Sequence, residues 1–248
     1  EISCSLVGSE MCIRDSFPIL KMSKDETRFN LGMIKILCGI GIPMGLQYSI
    51  TAIGSVILQT AVNGLGSLYV AAVSAGNKIT QFFCCPFDAL GATMATWAGQ
   101  NVGAGKFGRV REGVKYASII GCVYAVIAFL VLTFFGRYLA LLFLDADETA
   151  TIGNVALFLF GNSMFYIPLV FVNVVRFSIQ GMGFSKFAIL AGVFEMCART
   201  FAGMCLVPIF GYPAACFASP MAWIAADIFL IPAFRYCLRK CAASGSTL

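Results

Sequence analysis

The sequence predicts an all-α protein that crosses a membrane six times. Of its 248 residues, 59% are hydrophobic and only 12% are charged, whereas soluble domains carry about 25% charged residues. The apolar residues fall largely in six long runs, each reaching the ~20 residues that a helix needs to cross the hydrocarbon core. Basic residues collect in alternate turns between these runs. Together these observations predict a polytopic membrane protein with six transmembrane helices.

Each predicted helix is bounded by charged, glycine-rich or proline-containing segments. Pro43 lies within the first run and predicts a kink or a local opening, because proline removes a backbone donor. Acidic residues follow the third run, and glycines follow the fourth, where glycine commonly ends a helix. The turn between the last two runs begins and ends with proline. We therefore expect helices at 32–62, 68–98, 113–144, 151–181, 187–207 and 214–237.

The two ends of the chain are expected to lie outside the transmembrane lobe. Residues 1–16 resemble translated adaptor sequence, so we interpret them as an artefact and the chain as the tail of a longer protein. Residues 17–31 form a charged cytoplasmic lead-in, residues 32–240 the six-helix lobe, and residues 241–248 a cytoplasmic tail.

The positions of lysine and arginine predict the orientation of the lobe. These residues lie in the lead-in, in the turns after the second and fourth helices and in the tail, whereas the other turns lack them or are acidic. Cytoplasmic loops of membrane proteins are enriched in basic residues. We therefore expect both ends of this segment to face the cytoplasm, in a cell membrane such as the inner membrane of a bacterium.

Several functional classes are disfavoured by the residues present. Gly103, Gly105 and Gly108 match the spacing of a dinucleotide-binding loop, but they follow a long apolar run instead of a strand. Phe107 stands where a phosphate-binding loop has Ser or Thr.

The chain has no histidine and its eleven cysteines are scattered, so we expect neither a metal site nor a cofactor. It also lacks the HExxH and GxSxG motifs of an enzyme, and its net charge of +5 lies in short turns, which does not indicate nucleic-acid binding.

Ionisable residues within the predicted helices are candidates for a polar site, because a charged side chain at the bilayer centre costs about 2.5 to 3.5 kcal/mol. Glu195 and Arg199 are spaced i,i+4 and are expected to form a structural ion pair. Glu195 is also a candidate for ion or proton coupling, together with Asp88 and Asp227.

Two interpretations remain open for Asp88 and Asp227. Asp88 follows Pro86, whose missing backbone donor leaves a carbonyl free beside the carboxylate, as in a cation or proton site. Alternatively, Asp88 neutralises a basic residue of another helix, namely Arg176, Arg199 or Lys78. Asp227 lies two turns after Pro220 and either titrates or pairs with an arginine.

Uncharged polar residues are candidates for lining a substrate cavity. They are Gln47 and Thr51 on the first helix, and Asn162, Tyr166 and Asn173 on the fourth. The alternative for each is an interhelical hydrogen bond, which is the commoner role of such side chains in membranes.

Four motifs in order resemble those of a known family: GIPMGL at 41–46, GQNVGAGK at 99–106 with Arg109, QGMG at 180–183 and EMCAR at 195–199. Over residues 29–240 the chain resembles the carboxy-terminal six-helix lobe of the multidrug and toxic compound extrusion (MATE) transporters. The resemblance implies a twelve-helix antiporter of two six-helix lobes, of which the amino-terminal lobe is missing from this chain.

The same resemblance implies a function in the lipid bilayer. MATE transporters export small organic compounds, often cationic, in exchange for Na⁺ or H⁺. Some branches place an acidic residue on the first helix of this lobe and another on the fourth, whereas this chain has Thr51 or nearby neutral residues on the first and no carboxylate on the fourth. Coupling is therefore expected to involve the missing lobe. The alternatives are a flippase of lipid-linked precursors from the same superfamily and a non-functional truncated lobe.

Overall fold

The computed structural model describes residues 31–145 and 147–245, and these are almost entirely helical, with no strand among them. In chain order the elements are α1 (Leu31–Asn63), α2 (Ser67–Gly103), α3 (Phe107–Ala140), α4 (Thr149–Ser163), α5 (Tyr166–Gly181), α6 (Ser185–Phe201), a π-helical turn (Ala202–Leu206), α7 (Val207–Phe210) and α8 (Tyr212–Gly245). The all-α prediction is confirmed. The adaptor-like segment, most of the lead-in and the last three residues of the tail lie outside the described residues.

Two units divide the chain, with Glu1–Gly39 in one and Ile40–Leu248 in the other. The described part of the first unit is the start of α1, whose residues are mostly exposed. The polar and apolar contacts between the helices lie within the second unit. There α1 continues as a helix on both sides of Pro43, where we expected a kink or a local opening.

Length and composition qualify four stretches of the described residues as membrane spans: α1, α3, α6 with its continuation to Phe210, and α8 up to Ala243. The pair α4 and α5 makes a fifth if it is counted as one bent span. The helix missing from this set is α2, which is long enough but carries many polar residues. A span with one polar face is tolerated where that face lines a water-filled cavity.

The predicted fourth helix is broken into α4 and α5, which meet at an angle of 51°. The break falls at Met164 and Phe165, and Pro168 explains it. A proline has no backbone donor for the carbonyl four residues earlier, and its ring clashes with that carbonyl, which here belongs to Met164. The π-helical turn before α7 has the same cause, because Pro208 follows it within two residues.

The turn between α2 and α3 is shorter than predicted. The helix α2 continues to Gly103 and α3 begins at Phe107, so that only three residues separate them. One of these is Gly105, whose φ of +69° lies in the left-handed region that favours glycine. The glycine-rich motif is therefore a tight turn between two antiparallel helices, as its context indicated.

Small residues bring the helices close together. Gly91 of α2 lies against the ring of Phe177 on α5, and Gly181 of α5 lies against the backbone of Ala95 on α2. Close backbone approach at small residues is typical of helix packing in membranes, where apolar burial alone drives little association. In this way α2 and α5 hold the centre of the lobe, with α3, α4, α6 and α8 packed around them.

Candidate functional site

A buried polar centre lies where α1, α5 and α6 meet, and we define it by Gln47, Arg176, Gln180, Glu195 and Arg199. Its core is an ion pair between Arg176 Nη2 on α5 and Glu195 Oε1 on α6. The second carboxylate oxygen of Glu195 lies 3.4 Å from Arg199 Nη1, one turn further along α6. Glu195 is 2% exposed, Arg176 6% and Arg199 7%. One carboxylate thus lies between two guanidinium groups, away from solvent.

A side-chain hydrogen bond ties α1 to this centre. Gln180 Nε2 on α5 donates to Gln47 Oε1 on α1, across 133 residues of sequence. Gly192 of α6 lies next to α1, since a Cβ there would be in van der Waals contact with it, 3.4 Å from Gln47 Cγ and 3.6 Å from Thr51 Oγ1. The polar centre therefore couples three helices through charge-assisted and amide hydrogen bonds.

Several polar atoms in and around the centre have no protein partner. Arg176 Nε, Gln180 Oε1, Thr51 Oγ1 and Asp227 Oδ1 are all buried and make no hydrogen bond to the described residues. An unpaired buried polar group costs about 1 to 3 kcal/mol. Buried donors and acceptors of this kind are usually satisfied by bound water.

Two further carboxylates act on the same arginine. Asp88 of α2 and Asp227 of α8 both interact electrostatically with Arg176. Asp227 is half-buried, whereas Asp88 is exposed on the face of α2. Neither forms an ion pair with any residue that the structure describes. Of the three basic partners proposed for Asp88, Arg176 and Arg199 are bonded to Glu195, and Lys78 lies over the ring of Phe143 at 5.6 Å.

The exposed face of α2 carries a polar stripe, which we define by Ser74, Asn77, Lys78, Gln81, Asp88, Thr96 and Gln100. All seven are exposed, and at 100° per residue they fall within a sector of about 140° on the helix. The helix extends five residues beyond its predicted end, which places Asp88 about 22 Å from that end and near the middle of α2.

The structure separates the remaining candidates. Asn173 is buried on α5, three residues before Arg176 and thus beside the polar centre. Asn162 instead binds the backbone, donating to the carbonyl of Phe158 at 2.9 Å and to that of Cys216 on α8 at 3.3 Å. Tyr166 is fully buried among aromatic rings, 5.5 Å from Phe87 and 6.3 Å from Trp223.

Sequence reasoning missed Gln180 as a site residue and treated Arg176 only as a partner for Asp88. A signal was present, because Asn173, Arg176 and Gln180 are spaced by three and four residues in an apolar run and so share one helix face. Within the described residues, no group of three or more His, Cys, Asp or Glu side chains lies close enough to hold a metal ion.

The MatE family model matches residues 43–216, which is most of the second unit. The chain belongs to the MATE family. Its members are transporters and not enzymes, and the lobe is a multi-pass membrane protein. The family match covers α1 from Pro43 onward, the polar centre and the polar stripe.

Curated relatives and solved structures agree with this assignment. The chain is 31% identical over 140 residues to the "Probable multidrug resistance protein YpnP" and 23% identical over 151 residues to the "Probable multidrug resistance protein YoeA", both of Bacillus subtilis strain 168. These matches cover 56% and 58% of the chain but 31% of each relative. The solved structure of a MATE transporter in complex with MaL6 has the same fold, with a TM-score of 0.82 and 16% identity, over 90% of this chain and 50% of the other. The MATE lobe described here thus spans about half of that solved chain.

Proposed function

We propose that this chain is one half of an antiporter that exports small organic compounds, often cationic, in exchange for Na⁺ or H⁺. The polar stripe of α2 carries the proposal. Seven exposed polar residues along one face of a membrane helix would be costly against lipid but are suited to the wall of an aqueous cavity. A second six-helix lobe would supply the opposite wall, and rocking of the two lobes would open the cavity to each side in turn.

Asp88 is the group that we assign to exchange. It lies on the polar stripe and interacts electrostatically with Arg176 of the polar centre. Because Arg176 is already bonded to Glu195, the Asp88 carboxylate is available to one positive charge from the cavity. A cationic substrate and a coupling cation or proton would compete for it, and such competition produces antiport.

Asp227 is the second coupling candidate. Its Oδ1 is buried and unpaired among the described residues, and it interacts electrostatically with Arg176. A cation or proton at Asp227 would weaken the attraction between Asp227 and Arg176. The electrostatic interaction of Arg176 with Asp88 on the stripe would then change. The polar centre would thereby transmit occupancy of the coupling site from α8 to α2.

The test is transport by the product of the full reading frame in a host that lacks its own efflux pumps. We expect lower accumulation of a cationic dye in cells, and dye uptake into inverted vesicles that depends on a Na⁺ or H⁺ gradient. Asp88→Asn and Asp227→Asn should each lower gradient-driven uptake on the order of tenfold, the scale of a coupling energy between sites. Asp147→Asn, the same chemical change in an exposed loop, serves as the control.

Two results would contradict the proposal. If the full product changed neither dye accumulation nor gradient-driven uptake, the efflux function would be wrong. If it instead moved lipid-linked sugars across vesicle membranes and left dyes untouched, the flippase alternative would replace it.

A further inference from the structure

A groove between α2 and α3 lies apart from the polar centre and next to the turn that joins these helices. It has a volume of about 460 Å³. Leu90, Met94 and Trp97 form the α2 side, and Arg109, Glu112 and Tyr116 are among its residues on α3. On α2 these positions lie on a different face from the polar stripe, so that the groove opens away from it.

The walls of the groove are apolar and fixed in place. Trp97 Nε1 donates to the backbone carbonyl of Arg109 at 3.1 Å. Gly113 leaves room for the indole, since any Cβ there would clash with it. Thr93 turns its hydroxyl to the carbonyl of Ala89 at 2.9 Å, which satisfies the hydroxyl within α2. The groove is therefore ready to bind an apolar chain without rearrangement.

The groove has a polar end at Arg109 and Glu112 and an apolar part beyond it. From Gly113 to Ile120 the apolar part follows α3 for about 10 Å at the rise of an α-helix, whereas half of the hydrocarbon core is about 15 Å thick, so that it accommodates the upper part of one acyl chain. Trp97, which is 40% exposed, lies at the polar end beside Arg109, whereas Tyr116 lies about 10 Å further along α3. Trp is enriched at the level of the lipid headgroups, which places the polar end at the membrane surface.

The polar end carries one positive and one negative side chain. Arg109 and Glu112 both line the groove and both are exposed. Neither forms an ion pair with a residue in the described part of the chain, although they are only three positions apart. An arginine is well suited to bind a phosphate, and a carboxylate to accept hydrogen bonds from an ammonium group. An anionic headgroup would instead bring its charge against Glu112.

We propose that this groove binds phosphatidylethanolamine, with one acyl chain between α2 and α3, the phosphate at Arg109 and the primary ammonium at Glu112. The nearby Lys106, Arg111 and Lys115 do not line the groove, so they attract the membrane surface in general without selecting this headgroup. This inference is independent of the proposed transport function, because it concerns a face of the lobe turned away from the polar stripe.

The test is lipid retention by native mass spectrometry of the full-length product, with phosphatidylethanolamine, phosphatidylcholine and phosphatidylglycerol of identical acyl chains. Phosphatidylcholine carries the same charges, but its three methyl groups prevent donation to Glu112. We expect phosphatidylethanolamine to be retained about threefold more than either other lipid, the scale of a partly exposed ion pair. Glu112→Gln should abolish the difference between phosphatidylethanolamine and phosphatidylcholine, whereas Arg109→Gln should weaken retention of both. Glu148→Gln, at an exposed residue before α4, should change nothing.

A second measurement needs no variant. Phosphatidylethanolamine with a photoreactive acyl chain, incorporated into membranes that contain the protein, should crosslink to residues 90–97 and 113–120. Equal retention of phosphatidylethanolamine and phosphatidylcholine would overturn the proposal. So would preferential retention of phosphatidylglycerol, an unchanged preference in Glu112→Gln, or crosslinks confined to other helices.

Discussion

The neighbouring helices α2 and α3 are of similar length, 37 and 34 residues, but they expose opposite chemistry. The exposed face of α2 carries the polar stripe with Asp88 near its middle, together with Phe82 as an exposed large apolar side chain. From Tyr116 to Phe135, the exposed face of α3 is apolar apart from Thr133. Both bury several small residues, such as Gly91 on α2 and Gly121 on α3. Both helices thus pack inside the lobe at small residues, and their exposed faces distinguish a helix suited to water from one suited to lipid.

The helices that pack against α2 and α3 inside the lobe also differ in chemistry. Arg176 of the polar centre interacts electrostatically with Asp88 from behind α2, whereas α3 packs on α4 through aromatic contacts such as Phe129 with Phe160, 5.9 Å between ring centres. The side of the lobe that carries the stripe thus also carries the buried charges.

Glu195→Gln should destabilise the lobe most. It would leave Arg176 and Arg199 buried without a counter-charge, and removal of one partner from a buried ion pair costs about 3 to 5 kcal/mol. Thermal unfolding of the purified protein in detergent measures the change, with Glu148→Gln as a matched control on an exposed residue. A loss no larger than that of the control would mean that the polar centre contributes nothing to stability.

A carboxylate placed on the exposed face of each helix should reduce membrane insertion for α3 but not for α2. Val123→Asp puts a carboxylate on the lipid-facing side near the middle of α3, where insertion scales assign about 2.5 to 3.5 kcal/mol. Gln81→Asp puts the same group on the polar stripe, where water would solvate it. We expect a large loss of membrane-inserted protein for Val123→Asp and almost none for Gln81→Asp, measured with a fluorescent carboxy-terminal fusion. Equal losses would contradict the assignment of the stripe to water.

The sequence was sufficient to predict most of the fold. Long apolar runs specify helices because every backbone group must be satisfied inside the bilayer. The breaks at Met164 and at Ala202–Leu206 were missed, although Pro168 and Pro208 are visible in the sequence, because proline also occurs in continuous helices such as α1. Whether a proline breaks a helix depends on neighbouring helices that re-satisfy the free carbonyl.

Less of the candidate site than of the fold could be predicted from the sequence. The spacing of Glu195 and Arg199 is local, and it brings the two side chains to 3.4 Å in the structure. The bond between Gln47 and Gln180 joins residues 133 positions apart, and helical periodicity contains no information about which distant helices become neighbours. For the same reason the sequence offered three basic partners for Asp88 and no means to choose among them.

The buried faces of α2 and α3 should lose similar stability when one glycine on each is replaced by alanine. A Cβ at Gly91 would lie 2.5 Å from Phe177 Cδ2, and one at Gly121 would lie 2.5 Å from Val170 Cγ1. Gly91→Ala and Gly121→Ala should therefore each cost about 1 to 3 kcal/mol through overpacking. Gly108→Ala, which meets nothing within 4 Å, is the control in the same thermal assay. A marked cost at only one of the two sites would show that the interiors of α2 and α3 differ as well.

The rate at which a water-borne reagent labels a thiol should distinguish the exposed face of α2 from that of α3. A cysteine changes the protein less than an added charge does. In a chain whose native cysteines are replaced by serine, Gln81→Cys and Ile127→Cys place a single thiol on the stripe and on the apolar face of α3, both at exposed positions. Only the thiolate reacts with a membrane-impermeant maleimide, and an apolar environment suppresses that form. In membranes we expect Gln81→Cys to be labelled on the order of tenfold faster than Ile127→Cys, equal to about 1.4 kcal/mol. After transfer to detergent and denaturation the two rates should become equal, which controls for intrinsic reactivity. Equal rates already in the membrane would mean that lipid or protein covers the stripe, and the cavity would have to be sought on another face of the lobe.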